Sequence, residues 1–389
     1  METVKLYYEN AYITTFDACV ESCEQKGNDF AVVLDKTYFY PEGGGQPADV
    51  GTLGTACVKD VKDKDGVVLH ITDKPLTVGD VVTGNIDWNH RFDLMQQHSG
   101  EHILSGIICA KYDCNNVGFH IGKDTVTIDF DAKIPKEDLC MLEQKANTAI
   151  WQNVPSEAVY PTPQVLQEMA YRSKKALTGK VRILRMGDYD CCACCGTHVN
   201  KAGEIGMIKI LSAQNYKGGT RLEIVCGMRA LAEYQNKTEN ATILSELLSV
   251  PVSDIAKAAT ALQKERDTLK QMLSQMKQEK MAYLTNALPK NEKVCYFVSG
   301  FDAKDIAHFA DKIQNHTTQT TAVCSDAGDG FLFVCMSKTE DMRILATQMR
   351  ETLGSKGGGK TDAIQGRTEV KKSDLQAFWE QKGFTVYQE

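Results

Sequence analysis

The spacing of apolar residues along the chain changes near residue 87, and the change separates two predicted kinds of structure. Before it, short apolar runs at 30–41 and 66–73 are bounded by glycine and aspartate turns, which predicts β-strands. After it, apolar side chains recur at helical spacing over 87–112, with Asp87 or Asn89 placed to cap the start. The apolar positions of this predicted helix are Phe92, Met95, Ile103, Ile107 and Ala110.

Strand and helix patterns continue to be mixed as far as about residue 228. Residues 124–131 and 180–190 predict strands, and residues 136–153 predict a second helix. Residues 207–227 predict a hairpin with a Gly-Gly turn. This stretch is therefore expected to form one α+β domain.

The next segment has a purely helical pattern. One helix is predicted over 229–250 and ends before Pro251, and Ser253 is placed to cap a second. Apolar residues of the second helix alternate at spacings of four and three, which predicts a coiled-coil seam with two basic interruptions. The seam consists of Ile255, Ala259, Leu262, Arg266, Leu269, Leu273, Met276, Lys280 and Tyr283. We expect an antiparallel helical hairpin that serves as an oligomerisation arm, with a plain surface helix as the alternative.

The last hundred residues return to alternating strands and helices. A helix predicted over 339–353 is followed by a glycine-rich loop over 354–366. The predicted fold class is an α+β multidomain protein with four parts. They are a small N-terminal β-barrel with a glycine motif (1–85), an α+β metal-binding domain (86–228), a helical hairpin or coiled-coil arm (229–288) and a C-terminal α/β domain (289–389).

Composition narrows the class of protein. The 389 residues are 42% hydrophobic and 24% charged, as is typical of globular proteins, and no apolar run is long enough to span a membrane. The N-terminal residues lack the basic start and apolar core of a signal peptide, so we expect a cytoplasmic protein. In that reducing compartment the 14 cysteines are not expected to form disulfides.

A net charge of −7 argues against a protein that coats duplex nucleic acid, but two basic islands oppose the overall sign. One spans 171–185 and the other 354–372. The first contains Arg172, Lys174, Lys175, Lys180, Arg182 and Arg185; the second contains Lys356, Lys360, Arg367, Lys371 and Lys372. Each is either a contact for nucleic acid or an ordinary solvated surface.

Two separate fragments offer metal ligands. "HSGEH" places His98 and His102 four residues apart on a predicted helix, so both imidazoles lie on one face. "CCGTH" separates Cys194 from His198 by three residues, with a glycine to turn the chain. Together they would complete a tetrahedral site of one cysteine and three histidines, which suits a single Zn²⁺ ion. Cys192 stays open as a substitute for Cys194.

Three motifs in this order, "YFYPEGGGQPADVG" (38–51), "HSGEH" (98–102) and "CCGTHVNKAGEIG" (194–206), closely resemble the editing domain of alanyl-tRNA synthetase. They are still more similar to the free-standing AlaX-type editing proteins. Cys195 stands where that family usually has a glycine. The segment "GSKGGGKTDAIQG" (354–366) resembles the DHH-associated domain that ends alanyl-tRNA synthetases. The aminoacylation domain has no counterpart, so the likeness is to the long AlaX form.

The resemblance implies hydrolysis of the ester between a wrong amino acid and the terminal ribose of alanine tRNA. Serine is the expected amino acid, with glycine possible, because an alanine pocket rejects neither strongly. The bound metal would activate a water or position the substrate, with positioning favoured. Expected catalytic groups are Gln46, Glu101 and Thr197. Expected substrate-binding residues are Gly43, Gly44, Gly45, Asn116, His120 and, for tRNA, Lys356, Lys360 and Arg367.

Other functions remain possible from the sequence. "HSGEH" also matches the H-x-x-E-H pattern of inverted zinc peptidases, with Glu101 as base and Glu168 as a nominal third ligand. A non-catalytic tRNA-binding protein with a structural zinc is a second alternative. A third takes residues 354–361 as a nucleotide-binding P-loop, but the predicted preceding helix is wrong for that motif. A homodimer through the helical arm or the C-terminal domain is also expected.

Overall fold

The computed structural model describes residues 2–173 and 181–389. Lys174, Lys175 and Lys180 of the first basic island therefore lie outside the described residues. The chain divides into two compact units, Met1–Ile243 and Leu244–Glu389. Among the described residues, none of the helices has the length and apolar content needed to cross a bilayer. The finer division into four domains that the sequence predicts stays a prediction.

The first part of the first unit is built from eight strands. They are β1 (Val4–Lys5), β2 (Thr15–Lys26), β3 (Asp29–Leu34), β4 (Lys36–Thr37), β5 (Gly51–Leu53), β6 (Ala56–Lys64), β7 (Val67–Thr72) and β8 (Val81–Ile86). Six of them pair antiparallel in a closed ring of order β2-β3-β7-β6-β5-β8. The ring encloses an apolar core because alternate strand residues point inward.

The remainder of the first unit contains α1 to α3, β9 to β15 and the first part of α4, which continues into the second unit. Their bounds are α1 (Trp88–Tyr112), β9 (Asn116–Ile121), β10 (Val126–Phe130), α2 (Leu139–Trp151), β11 (Ser156–Val159), α3 (Pro163–Glu168), β12 (Ile183–Met186), β13 (Asp190–Ala193), β14 (Ile208–Tyr216), β15 (Gly219–Cys226) and α4 (Gly227–Leu248). A four-stranded sheet has the order β14-β15-β10-β9, and a three-stranded sheet has the order β11-β12-β13. The predicted hairpin is β14–β15.

Helix α1 positions the candidate site. Its start is capped by Asp87, whose side chain accepts a hydrogen bond from the backbone of His90 at 3.1 Å, as predicted. Most of the helix is buried, and the buried set includes polar side chains on the turn from Gln97 to His102. Burial of so many polar groups requires partners, because an unpaired buried polar group is costly.

Arg91 fastens the start of α1 to the segment before β2 and to the segment that follows the small β4 strand. Its side chain is fully buried and donates to Ala11 O and Tyr38 O at 2.7 and 2.6 Å. It also forms a buried ion pair with Asp49. Asp49 in turn accepts from the backbone of Tyr40. This network holds the glycine motif at a fixed place beside the helix.

The second unit contains a mixed six-stranded sheet with helices packed on it. Its elements are α5 (Ile255–Asn286), β16 (Val294–Val298), α6 (Ala303–His316), β17 (Thr321–Asp326), β18 (Phe331–Met336), α7 (Met342–Leu353), β19 (Lys356–Gly359), β20 (Ala363–Thr368), α8 (Lys372–Gln381) and β21 (Thr385–Gln388). The strand order is β19-β20-β18-β17-β16-β21. The predicted class, a mixed α+β multidomain protein, is confirmed in this general form.

Two local predictions were wrong. The glycine-rich segment is a β-hairpin, β19–β20, and not a loop: glycines allow close strand contact, and a Cβ on Gly357 would lie 2.3 Å from a carbonyl oxygen of β20. Ser253 does not cap α5, because a 3-10 turn precedes it and the cap position is Asp254, without a side-chain hydrogen bond. Cys191 and Cys192 lie in strand β13.

The predicted seam on α5 is largely exposed. Leu269, Met276 and Tyr283 are 58%, 67% and 77% exposed. The coiled coil and the homodimer stay predictions.

Candidate metal centre

Four side chains from two distant segments converge beside α1. His98, His102, Cys194 and His198 each offer a ligand atom, and these four atoms lie within 4.8 Å of one another. The rings of His98 and His102 are stacked, with centroids 5.1 Å apart, because they lie one helical turn apart. His198 completes the group, with ring centroids 4.5 and 5.0 Å from the two helical histidines.

The segment after β13 reaches α1 because it turns sharply at Gly196. A Cβ on this residue would lie 2.2 Å from the His98 ring and 2.9 Å from the side chain of Gln46, so only glycine fits. The Gly196 backbone N–H also donates to the Cys194 sulfur at 3.4 Å. The backbone of Val199 donates to Ser99 on α1 at 3.1 Å, which secures the end of the turn.

Hydrogen bonds on the far side of each helical histidine set its orientation. His98 Nδ1 lies 2.7 Å from Gln46 Oε1, and His102 Nδ1 lies 2.8 Å from Asp190 Oδ2. Both partners are acceptors, so each Nδ1 carries the proton and each Nε2 is directed to the cluster. His102 Nε2 is buried and has no hydrogen-bond partner among the described residues. A bound cation would give this buried nitrogen a partner, together with the three other ligand atoms around it.

Asp190 is itself held by Arg172. The guanidinium donates to both carboxylate oxygens, at 2.7 and 2.8 Å. Burial raises the pKa of Asp190, but the hydrogen bonds from His102 and Arg172 outweigh it and hold the pKa below its usual value. The carboxylate therefore stays charged and keeps its hold on His102.

The protonation states of Cys194 and His198 suit a metal ion. Burial alone would raise the pKa of the Cys194 thiol, but the neighbouring His98, His198 and His102 lower it well below its usual value. Burial lowers the pKa of His198 to about 3, so this imidazole is neutral. Burial also opposes a charge on His102, yet the Cys194 thiolate and the bond to Asp190 raise its pKa well above the usual value. The Cys194 thiolate and the neutral His198 are forms that bind metals, whereas His102 must release a proton from its ring when an ion binds.

The distances also fit an ion. The Cys194 sulfur lies 3.4 Å from His98 Nε2 and 3.5 Å from His198 Nε2. Zinc bonds to sulfur and nitrogen in a tetrahedral site require a separation of about 3.6 Å. Cys192 lies in a different group, with His102 and Asp190. The structure thus brings Cys194, and not Cys192, together with all three histidines.

The glycine motif forms a tight turn against the site. Gly44 and Gly45 have φ of +60° and +90°, and the backbones of Gly43 and Gln46 hydrogen-bond to each other at 3.0 and 3.1 Å. A Cβ on Gly45 would lie 2.4 Å from the carbonyl oxygen of Phe119 on β9. The turn therefore places Gln46 between α1 and the Cys194–His198 segment.

Gln46 is fully buried and connects both halves of the cluster. Its oxygen accepts from His98 Nδ1 and from the backbone of Thr197 at 3.2 Å, and its nitrogen donates to Thr197 Oγ1 at 2.8 Å. The contacts fix the orientation of the amide and of the imidazole.

Glu101 and Asn116 lie in a second buried polar group. Ser105 Oγ donates to Glu101 Oε1 at 2.7 Å, and Asn116 Nδ2 donates to the same oxygen. His120 is not brought to this group. A β-bulge in β9 places Asn116 on the core face, whereas His120 pairs with Thr127 on the outer face and is exposed.

The predicted tRNA contacts lie in the second unit. Lys356 and Arg367 are direct partners across the β19–β20 hairpin, and Lys360 follows β19. Arg367 forms an ion pair with Asp329.

Sequence reasoning missed Asp190 and Ser105, and it placed Arg172 in a basic island without identifying its acidic partner. Asp190 had one detectable signal, since it is an acidic residue directly before the cysteine cluster. The pairing of Arg172 and the role of Ser105 had no detectable signal. Arg172 pairs with Asp190, which is 18 residues away in sequence, and Ser105 belongs to the hydrogen-bond network of Asn116.

Comparison with known proteins gives three domain matches. Residues 2–90 match "tRNA synthetases class II (A)", residues 181–223 match "Threonyl and Alanyl tRNA synthetase second additional domain", and residues 291–381 match "DHHA1 domain". Cys194 and His198 fall in the second of these.

Curated relatives align over nearly the whole chain. "Alanyl-tRNA editing protein AlaX-L" of Pyrococcus horikoshii is 28% identical, with 95% of this chain and 96% of the relative covered. "Alanyl-tRNA editing protein Aarsd1" of Rattus norvegicus is 27% identical, with 96% of each chain covered. "Alanine--tRNA ligase" of Halobacterium salinarum is 34% identical, but only 66% of this chain and 30% of the ligase are covered.

Proposed function

We propose that this chain, a homologue of the curated alanyl-tRNA editing proteins over nearly its whole length, hydrolyses the ester of a wrong amino acid on alanine tRNA at a site with one Zn²⁺ ion. One observation carries the proposal: a thiolate-forming cysteine and three histidines converge within 4.8 Å. Serine is the proposed amino acid, with glycine as a second substrate, because neither is strongly excluded by a synthetase pocket built for alanine.

The proposed ligands are His98, His102, Cys194 and His198. A bound zinc ion would supply a Lewis acid that anchors or polarises the aminoacyl ester. The chain's own contribution is orientation. Gln46 and Asp190 fix the two helical imidazoles, so the site does not have to reorganise when substrate arrives.

Thr197 is the proposed contact with the substrate. Its hydroxyl oxygen accepts from Gln46, and no described residue accepts the hydroxyl proton, so the proton is available for a substrate oxygen. Glu101 and Asn116 are proposed to support the site as a buried polar group. Gly43 to Gly45 are proposed to let the substrate backbone come close to the site. The exposed His120 is kept only as an outer contact.

The proposed tRNA contact of the second unit is the β19–β20 hairpin. Lys356, Lys360 and Arg367 would bind phosphates, and a cavity of about 400 Å³ is lined by Lys356, Arg367 and the hairpin glycines. Substituting Lys356 and Lys360 by alanine should raise the KM for charged tRNA and reduce its salt dependence by about one unit of slope per lysine. An unchanged KM at every salt concentration would contradict this contact.

The cytoplasm is the proposed compartment, because charged tRNA is present there. A homodimer through the exposed apolar residues of α5 is also proposed. Sedimentation of the wild type and of a Leu269→Lys variant tests it, since a lysine would separate the two copies. A monomeric wild type would reject the dimer.

The decisive experiment is deacylation of serine-, glycine- and alanine-charged alanine tRNA, with zinc content measured in parallel. The wild type should release serine and spare alanine. His98→Ala should lose both zinc and activity, whereas His308→Ala, which removes an exposed histidine of α6, should lose neither. Zinc without deacylation would favour the non-catalytic tRNA-binding protein, and cleavage of peptides would favour the peptidase. The peptidase is disfavoured because a cysteine and a third histidine complete the cluster, in place of Glu168.

A further inference from the structure

Arg182 is a cation beside the metal cluster that has no acidic partner among the described residues. It directly precedes β12 and lies opposite Cys194, whose backbone donates to Arg182 O at 3.1 Å. Its side chain donates from Nη1 to Cys194 O and Gly196 O, at 2.9 and 3.2 Å. No carboxylate of the described residues forms an ion pair with it, and residues 174–180 contain no acid. Its Nε is buried and unpartnered within the described part of the chain.

Two tyrosines accompany this guanidinium. Its central carbon lies 5.6 Å from the ring centroid of Tyr8, a distance typical of a cation–π contact. Burial raises the pKa of Tyr8, and the neighbouring Cys195 thiol adds to that rise. Burial also raises the pKa of Tyr160, the nearby Arg182 guanidinium opposes that rise, and Tyr160 is 42% exposed. An uncompensated cation with an exposed aromatic ring beside it is the combination that binds single nucleotides.

The cluster opens to solvent on this same side. Of the four candidate ligands only Cys194 is not fully buried, and the adjacent Cys195 is exposed. The exposed part of the cluster thus lies at Cys194 and Cys195, next to Arg182 and Tyr8.

Building on the proposed function, we propose that Arg182 and Tyr160 bind the terminal nucleotide of the tRNA acceptor strand. Arg182 binds the phosphodiester on the 5′ side of the terminal ribose, and Tyr160 stacks on the base, with Tyr8 holding the guanidinium in place. In such a substrate this phosphodiester is one sugar away from the reacting ester. In the protein the guanidinium donates directly to the backbone of the ligand Cys194. A planar guanidinium without a counter-ion matches a phosphate in charge and geometry.

The test compares two substrates that share the ester but differ in the phosphate: serine-charged alanine tRNA and 3′-O-seryl-adenosine. It uses the full-length, zinc-loaded chain. Arg182→Gln retains a donor for the two loop carbonyls but loses the charge. We expect its KM for charged tRNA to rise tenfold or more, with kcat, zinc content and the hydrolysis of seryl-adenosine within about twofold of wild type. Arg185→Gln, which removes an exposed arginine of the adjoining strand β12, should leave both substrates unaffected.

Tyr160→Ala provides an independent second variant. Both substrates carry the base, so loss of stacking should raise the KM for both by about tenfold, without loss of zinc.

Other outcomes overturn the inference. If Arg182→Gln slows both substrates equally or loses zinc, Arg182 is only a clamp for the cysteine loop. If it changes neither substrate, the phosphate contact is wrong. Unchanged KM values in Tyr160→Ala would exclude base stacking. Failure of the wild type to hydrolyse either ester would instead overturn the proposed function, and this inference with it.

Discussion

Replacing Asp190 by asparagine tests the idea that a carboxylate outside the cluster controls the metal site. Asp190 Oδ2 accepts from both His102 Nδ1 and Arg172 Nη2, each at 2.8 Å, and Oδ1 accepts from Arg172 Nε at 2.7 Å. An amide has only one acceptor oxygen. Whichever way the introduced amide turns, its amino group faces either the histidine or a guanidinium donor.

Two effects of different size follow. Loss of an oriented outer partner typically costs about 10–100-fold in metal affinity. Removal of one member of a buried ion pair costs about 3–5 kcal/mol, because the other charge is left uncompensated. The Arg172 side chain is 22% exposed and retains some hydration, so we expect a value near the lower end, about 3 kcal/mol.

Zinc affinity measured by competition with a chelator, and the free energy of unfolding of the metal-free protein measured in urea, separate the two effects. Asp188→Asn is the matched control, because it removes the same charge from an exposed position two residues earlier and should change stability by less than about 0.5 kcal/mol. Asp190→Glu keeps the charge but displaces it. Compared with Asp190→Asn, it should therefore recover more of the stability of the metal-free protein than of the zinc affinity. If Asp190→Asn matched Asp188→Asn in both measurements, Asp190 would have no role in orienting His102.

Three further predictions concern the ligands, the glycine turn and the barrel. Cys194→Ser should abolish stoichiometric zinc binding while Cys192→Ser retains it, as measured by metal analysis; the reverse result would exchange their roles. Gly44→Ala should destabilise the protein by about 1–2 kcal/mol. Gly45→Ala should cost about 2 kcal/mol or more in addition, because only a Cβ on Gly45 would point at a β9 carbonyl oxygen. Equal unfolding midpoints would contradict that clash. Burial lowers the pKa of His70 to about 4, so below its usual value of 6.5 the unfolded chain takes up a proton that the native state does not. Stability from this residue should thus fall as the pH falls, by about 2 kcal/mol between roughly pH 6.5 and 5. In urea titrations, the free energy of unfolding of His70→Gln should depend less on pH than that of the wild type. An identical pH dependence in the two proteins would contradict this role of His70.

Much of the cluster could be predicted because its two halves are local patterns. His98 and His102 share a helix, so a spacing of four residues alone places them on one face. Cys194 and His198 share a short turn at a glycine that cannot carry a side chain. Helical periodicity also predicted the start of α1 and its Asp87 cap.

Other features depended on context that a single segment does not contain. The bulge in β9 decided that Asn116 points inward and His120 outward, and a bulge is a property of two paired strands. The glycine segment became the β19–β20 hairpin because β18 supplies a partner edge.

The sequence by itself thus determined which residues have metal-binding chemistry and how each pair is spaced. Only the tertiary structure decided which outer groups orient them: Gln46 is 52 residues from His98, and Asp190 is 88 residues from His102. Such contacts form when the barrel, α1 and the β12–β13 hairpin pack together. The physical reason is that periodicity reports the faces of one element, whereas the approach of two distant elements is set by the packing of the whole core.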